Sequence, residues 1–142
     1  MNDERRTFPA RTDAWPSVRT YVECRCAELA IQRDTALRLQ LIAEELFINA
    51  VEHGYRGDSG MSVVIGLRDA GDEAELVAED TAPRFNPFTR LAAPSDSTNP
   101  DQRPLGGIGR SLIAGLSSRR DYQRVAGCNR VTVAVPKTPD AH

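Results

Sequence analysis

Apolar and polar positions along this chain switch between two periods, and each switch marks an element. Val18, Val22, Cys26 and Leu29 recur near the helical repeat behind Asp13 and Pro16, a suitable helix start, so a first helix is predicted to run through Ala30. A second is predicted from a cap at Asp34 or Thr35 to about His53, closed by Gly54, with Leu39, Ile42, Ala43, Leu46 and Ala50 as its apolar stripe. Strands are predicted at 61–67 and 73–80 around Asp69-Ala70-Gly71-Asp72, a hairpin signal, and a last hairpin at 122–125 and 131–135 around Gly127-Cys128-Asn129. Residues 6–10 read as an edge strand, because Pro9 has no N–H for a central ladder. A short third helix is expected over 108–116. Between 83 and 104 periodicity gives way to Pro, Ser, Asp and Asn, a long loop of the kind that is functional or disordered. The tail from 137 to 142 is expected to be loose. By periodicity alone this is an α/β domain.

The second helix carries polar groups that need a reason. At about 100° of rotation per residue, Glu45, Asn49 and Glu52 fall on one face beside the apolar stripe, so a carboxylate and an amide look into one site. A bare Glu-x-x-x-Asn is common, and describes equally well a helix whose Glu44, Glu45 and Glu52 are simply solvated.

Size and charge narrow the classes. With 142 residues and 40% hydrophobic content the chain reads as one globular domain, 1–142, able to bury a core without disulfides or a metal staple. Its 18 basic and 20 acidic residues, net −2, create no basic field, so direct nucleic-acid binding is not expected. No stretch is apolar enough to span a bilayer and residues 1–6 lack an apolar signal core, which predicts no membrane association and a cytoplasmic location. Cys24, Cys26 and Cys128 are odd in number and not spaced as metal ligands; they read as reduced thiols, the first two in packing roles. His53, in a last helical turn, suits the helix dipole.

Three segments share a family pattern. Glu45-x-x-x-Asn49 followed by Ala50-x-x-His53-Gly54-Tyr55 resembles the N-box of the GHKL ATPase superfamily, most closely its anti-sigma-factor serine/threonine kinase branch. Leu76-Val77-Ala78 running into Glu79-Asp80-Thr81-Ala82-Pro83-Arg84-Phe85-Asn86-Pro87 resembles the Asp-x-Gly-x-Gly box and its Phe-Asp-Pro sequel, with Ala82 and Arg84 standing where the family has glycines. Gly106-Gly107-Ile108-Gly109-Arg110 resembles the second glycine box, at the end of a mobile lid that would cover about 83–107. The segment from Asp121 to Thr132 is similar to the branch's closing hairpin.

The resemblance implies a two-layer α/β sandwich, helices on one face of a mixed, mainly antiparallel sheet, binding ATP and Mg2+. It implies that Asn49 holds magnesium, Glu45 acts as general base, Asp80 reads the adenine amino group beside Ala82, and Gly106, Gly107, Ile108, Gly109 and Arg110 border the phosphates. It implies too a lid cation near the γ-phosphate, for which Arg103 and Arg110 are the nearest candidates in the sequence. The implied partners are an anti-anti-sigma protein as phosphoacceptor and a sigma factor or similar target, with the kinase a homodimer. The alternative is a non-catalytic partner-binding module with a degenerate pocket, motivated by Ala82 and Arg84.

Overall fold

A computed structural model describes residues 5–88, 113 and 115–138. Two helices, α1 (Trp15–Glu28) and α2 (Arg33–Asn49), lie on one face of five strands: β1 (Arg5–Pro9), β2 (Ser62–Ala70), β3 (Glu73–Asp80), β4 (Arg119–Val125) and β5 (Cys128–Pro136). The sheet order is β1-β2-β3-β5-β4, so the fold is the expected two-layer sandwich, with every described pair antiparallel where a mixed sheet was expected.

Strand alternation separates the two faces. Val63, Ile65, Leu67, Leu76, Val133 and Val135 point inward and are buried with Val18 and Val22 of α1 and Leu39, Ile42 and Phe47 of α2. Outward, arginines bridge strands through shared glutamates. Glu79 takes Arg5 at 3.2 Å and Arg130 at 2.5 Å, and Glu75 takes Arg68 at 2.6 Å and Arg119 at 2.8 Å. Each exposed pair contributes little, but a one-residue slip would drive these charges into the core, so together they hold the register.

The hairpins are tighter than the sequence suggested. β2 continues to Ala70, and Gly71 turns the chain at φ 83°. The last hairpin turns on Ala126 and Gly127, φ 53° and 81°, the two positive angles a two-residue turn of this hand requires. Cys128 and Asn129, expected in the turn, therefore belong to β5.

Helix α1 grips the sheet through backbone groups. Arg25 donates from Nε and Nη2 to the Leu67 carbonyl (3.0 and 2.8 Å) and from Nη1 to Glu28 (2.8 Å), while the Leu67 N–H donates to the Tyr21 hydroxyl at 3.3 Å. Leu67 lies just beyond the described pairing of β1 with β2, which ends at Arg5 and Gly66. Cys26 packs in the core, where burial pushes its thiol up to about 11, whereas Cys24 is exposed, against the packing expectation.

Helix α2 begins at Arg33 with no side-chain cap. Thr35 does not cap it; its hydroxyl donates to the Pro136 and Lys137 carbonyls at 3.3 and 3.0 Å, tying the helix start to the end of β5. The helix also does not stop at Gly54 in the expected manner. After Asn49 it widens into one π-type turn, Ala50–Gly54, closed by Tyr55 N–H to the Ala50 carbonyl at 2.9 Å, and the left-handed residues that end it are Arg56 and Gly57. Of the predicted third helix, residues 113, 115 and 116 are helical and Ile113 is buried in the core; its start lies outside the described residues, as do 139–142 of the tail. No described helix is long and apolar enough to cross a membrane.

Candidate functional site

The site lies where α2 crosses the ends of β3 and β5. Glu45 and Asn49 are one turn apart on α2 and face the same way, as helical spacing requires. Asn49 is only 3% exposed, and beyond the pull of its amide on the Glu45 carboxyl neither of its amide atoms, nor Glu45 Oε2, completes a hydrogen bond among the described residues. Each such orphan costs about 1–3 kcal/mol. A helix retains polar groups in that state where a ligand completes them, and a neutral amide oxygen beside a carboxylate is a donor set that suits a hard divalent cation. Burial pushes Glu45 up to about 7; the Asn49 amide draws it down, and the charges of Glu44 and Glu52 raise it further. A carboxyl so placed is suited to take and return a proton near neutral pH.

Glu52 does not join them. The π-type turn after Asn49 turns the chain less per residue than an α-helix, and Glu52 ends up exposed. The same turn carries Gly54 against β3: a Cβ there would lie 3.3 Å from Ala82 Cβ and 3.9 Å from Asp80 Oδ2. Gly54, whose φ is not left-handed, is thus needed for close approach, and it leaves the room that the Ala82 methyl fills. Tyr55 pins the other side. Its hydroxyl donates to the Ser62 carbonyl (2.8 Å) and accepts from the Thr81 N–H (2.8 Å), anchoring the residue after Asp80.

Asp80, at the end of β3, has one oxygen engaged: Oδ1 accepts from Asn129 Nδ2 (2.8 Å) and the Ala82 N–H (3.0 Å), leaving Oδ2 towards Gly54. Burial raises its pKa, opposed by Asn129, by the Ala82 amide and by Arg124. Arg84 is exposed and does not enter the pocket; Arg124 reaches in from β4 instead, donating to the Ala82 carbonyl (2.8 Å) and Asn129 Oδ1 (3.1 Å).

Asn129 is the residue that sequence reasoning missed. It is 1% exposed; besides Asp80, its Nδ2 meets the Ala82 and Pro83 carbonyls (3.2 and 3.1 Å), and its Oδ1 also accepts from the Phe85 N–H (3.1 Å) and the Tyr122 hydroxyl (2.6 Å). An asparagine after glycine reads as a turn former. The signal that would have found it is phase, because Asn129 stands in step with Val131, Val133 and Val135, the buried face of β5.

Between Asn49 and Asp80 lies a cavity of about 10 Å³, lined also by Leu46, Ala50, Val131, Asn129, Phe85 and Pro87. The Phe85 ring stacks on His53, centroids 6.1 Å apart at 26°, so His53 serves this contact rather than standing only at a helix end. Arg103, Gly106, Gly107, Ile108, Gly109 and Arg110 lie outside the described residues, as does most of the expected lid.

An acid and an amide on one helix thus stand opposite a strand-end aspartate in a cleft between the two layers. The chain belongs to the histidine kinase-like ATPase domain family, whose model matches residues 8–135. It is 27% identical over 103 residues to the serine/threonine-protein kinase BtrW of Bordetella bronchiseptica, covering 72% of each chain. The structure containing the RsbU and RsbW domains of Rv1364c from Mycobacterium tuberculosis superposes with a TM-score of 0.64 at 21% identity, over 93% of this chain and 31% of that one. The catalytic domain of the histidine kinase ThkA superposes with a TM-score of 0.59 at 16% identity, over 96% and 98% of the two chains.

Proposed function

We propose that this chain is an ATP-dependent serine/threonine protein kinase of a partner-switching pair, which phosphorylates a hydroxyl on a small antagonist protein of the anti-anti-sigma type and otherwise holds a sigma factor or similar target, as a homodimer. The observation that carries this reading is the buried Asn49 amide, whose atoms complete no hydrogen bond among the described residues, one turn from a carboxyl pushed up to about 7. Its kinship with the BtrW kinase supports it. Asn49 Oδ1 would hold magnesium, which when bound neutralises phosphate charge. Asp80 Oδ2 would accept the adenine amino hydrogen. Glu45 would take the proton of the attacking hydroxyl as its oxygen bonds to the γ-phosphorus and the bond to the β-phosphate oxygen breaks, releasing ADP. The glycines 106, 107 and 109, with Ile108 and Arg110, would supply backbone and side-chain donors to phosphate.

A second reading, a partner-binding module without catalysis, is favoured by one observation: the cavity beside Asp80 has room for about one water. Calorimetric titration with ATP and ADP, with and without magnesium, tests the choice. The kinase reading expects magnesium-dependent binding that Asp80→Asn weakens at least tenfold, because an amide presents a donor where the adenine amine needs an acceptor. No binding of either nucleotide at millimolar concentration rejects it and leaves the binding module.

A further inference from the structure

Ligand pockets commonly enclose roughly 300–1,000 Å³, and the space beside Asp80, about 10 Å³, falls far short of that. Phe85 and Pro87 are part of its wall. Phe85 is half-buried and stands outside the hydrophobic core cluster, which the neighbouring Phe88 does pack against. This large aromatic side chain is fixed in at least two directions among the described residues. Its ring is stacked on His53 (6.1 Å, 26°), and its N–H donates to the buried Asn129 Oδ1 (3.1 Å). The backbone leading to it is held as well, since the Ala82 and Pro83 carbonyls accept from Asn129 and the former also from Arg124. Pro83 and Pro87 bracket this stretch and restrict the backbone on either side of Phe85. The segment 82–88 is therefore a short, stiffened strip fastened at its start and middle, and its two fastenings are made to the elements that carry the site: His53 follows α2, and Asn129 also orients Asp80.

Resting on the reading of this cleft as a base site, we propose that Phe85 is a built-in competitor of the nucleotide: stacked on His53 and latched to Asn129, it closes the place the base would take, and binding requires its release. The apparent affinity is then the intrinsic one multiplied by the fraction of molecules in the open state. Asn129 makes both the latch and the bond that aims Asp80, so the cover and the base-reading carboxylate share one side chain. The Arg124 and Tyr122 contacts to the same Asn129 oxygen keep that side chain in place when Phe85 leaves.

The test uses the full chain as wild type, Phe85→Ala and His53→Ala, the last removing half of the stack without touching the 82–88 backbone. Magnesium-ADP affinity and association rate are measured by calorimetry and stopped flow, and exchange of the Phe85 amide is followed without nucleotide. Loss of an aromatic stack should raise the open fraction, so both variants are expected to bind ADP roughly three- to tenfold tighter, with faster association. The Phe85 amide should be protected in the wild type and less so in His53→Ala. Affinity unchanged or weakened in both variants overturns the proposal, since Phe85 would then be inert or a platform for the base. An unprotected Phe85 amide in the wild type also overturns it. A protected amide with no ADP binding by any of the three proteins instead overturns the base-site reading itself, and the competitor with it.

Discussion

Replacing Asn49 by leucine separates a ligand site from a structural polar residue. Asn49 is 3% exposed, neither amide atom completes a hydrogen bond among the described residues, and Leu46, Ala50, Ala78 and Val131 line the cavity next to it. Two orphaned atoms at about 1–3 kcal/mol each set the gross cost of keeping the amide there. Leucine matches asparagine in branching and heavy-atom count, but its methyl groups are bulkier than the amide atoms, so overpacking in a cleft with about 10 Å³ of free space, about 1–3 kcal/mol, offsets part of that gain. A net stabilisation of about 1–3 kcal/mol is expected, some 3–5 °C in Tm for each kcal/mol in a chain of this size. Scanning calorimetry without ligand measures it. Titration with magnesium and ATP should show the opposite effect, with magnesium-dependent binding lost. If Asn49→Leu is instead destabilised by 1 kcal/mol or more without nucleotide, the amide serves the fold, and the inference from orphaned polar atoms to a cation site fails.

Glu45 gives a pH-dependent counterpart. Its folded pKa, about 7, lies above the ordinary carboxyl value of 4.5, so its contribution to stability is complete below about pH 4.5 and is lost as pH rises through 7. Glu45→Gln should therefore gain on the wild type across that window, levelling off near pH 8 at roughly 1–3 kcal/mol after allowance for its partial exposure; a pH-independent difference in urea denaturation would refute the assignment. The same variant should lower phosphoryl transfer to the antagonist by ~10²–10⁴ while leaving ADP affinity within a few-fold. Gly54→Ala places a methyl 3.3 Å from Ala82 Cβ and should cost about 1 kcal/mol, recovered when Ala82→Gly is added; additive denaturation midpoints in the double variant would show that the two positions do not share space.

What the sequence conveyed was mostly periodicity. The β3 strand was legible to the residue, because its apolar run ends sharply at charged positions on both sides, and the α2 stripe correctly placed Glu45 and Asn49 on one face. Thr35 was misread because a cap and a tertiary hydrogen bond use the same hydroxyl, and only the position of β5 decides between them. The π-type turn left no periodic trace over five residues, so Glu52 was projected along an ideal helix onto a face it does not occupy. Asn129 was hidden by its own turn propensity. Tyr21 and Arg25 were passed over in α1 because polar atoms hid the apolar bulk that these side chains bury. Ala82 and Arg84, which both stand where the family has glycines, differ in place: the first is buried against Gly54 and the second is exposed.

The grip of Arg25 and Tyr21 on Leu67 also bears on how this chain avoids its own kind. A free strand edge is a template for another molecule's backbone. Here the Leu67 carbonyl and N–H are engaged by side chains of the overlying helix, so at that position β2 offers no backbone partner to an incoming chain. Since the contacts are to the main chain, they do not depend on which side chain occupies position 67. Substitution there can drift with the core while this engagement persists, whereas loss of Arg25 would free the Leu67 carbonyl without altering a single residue of the sheet.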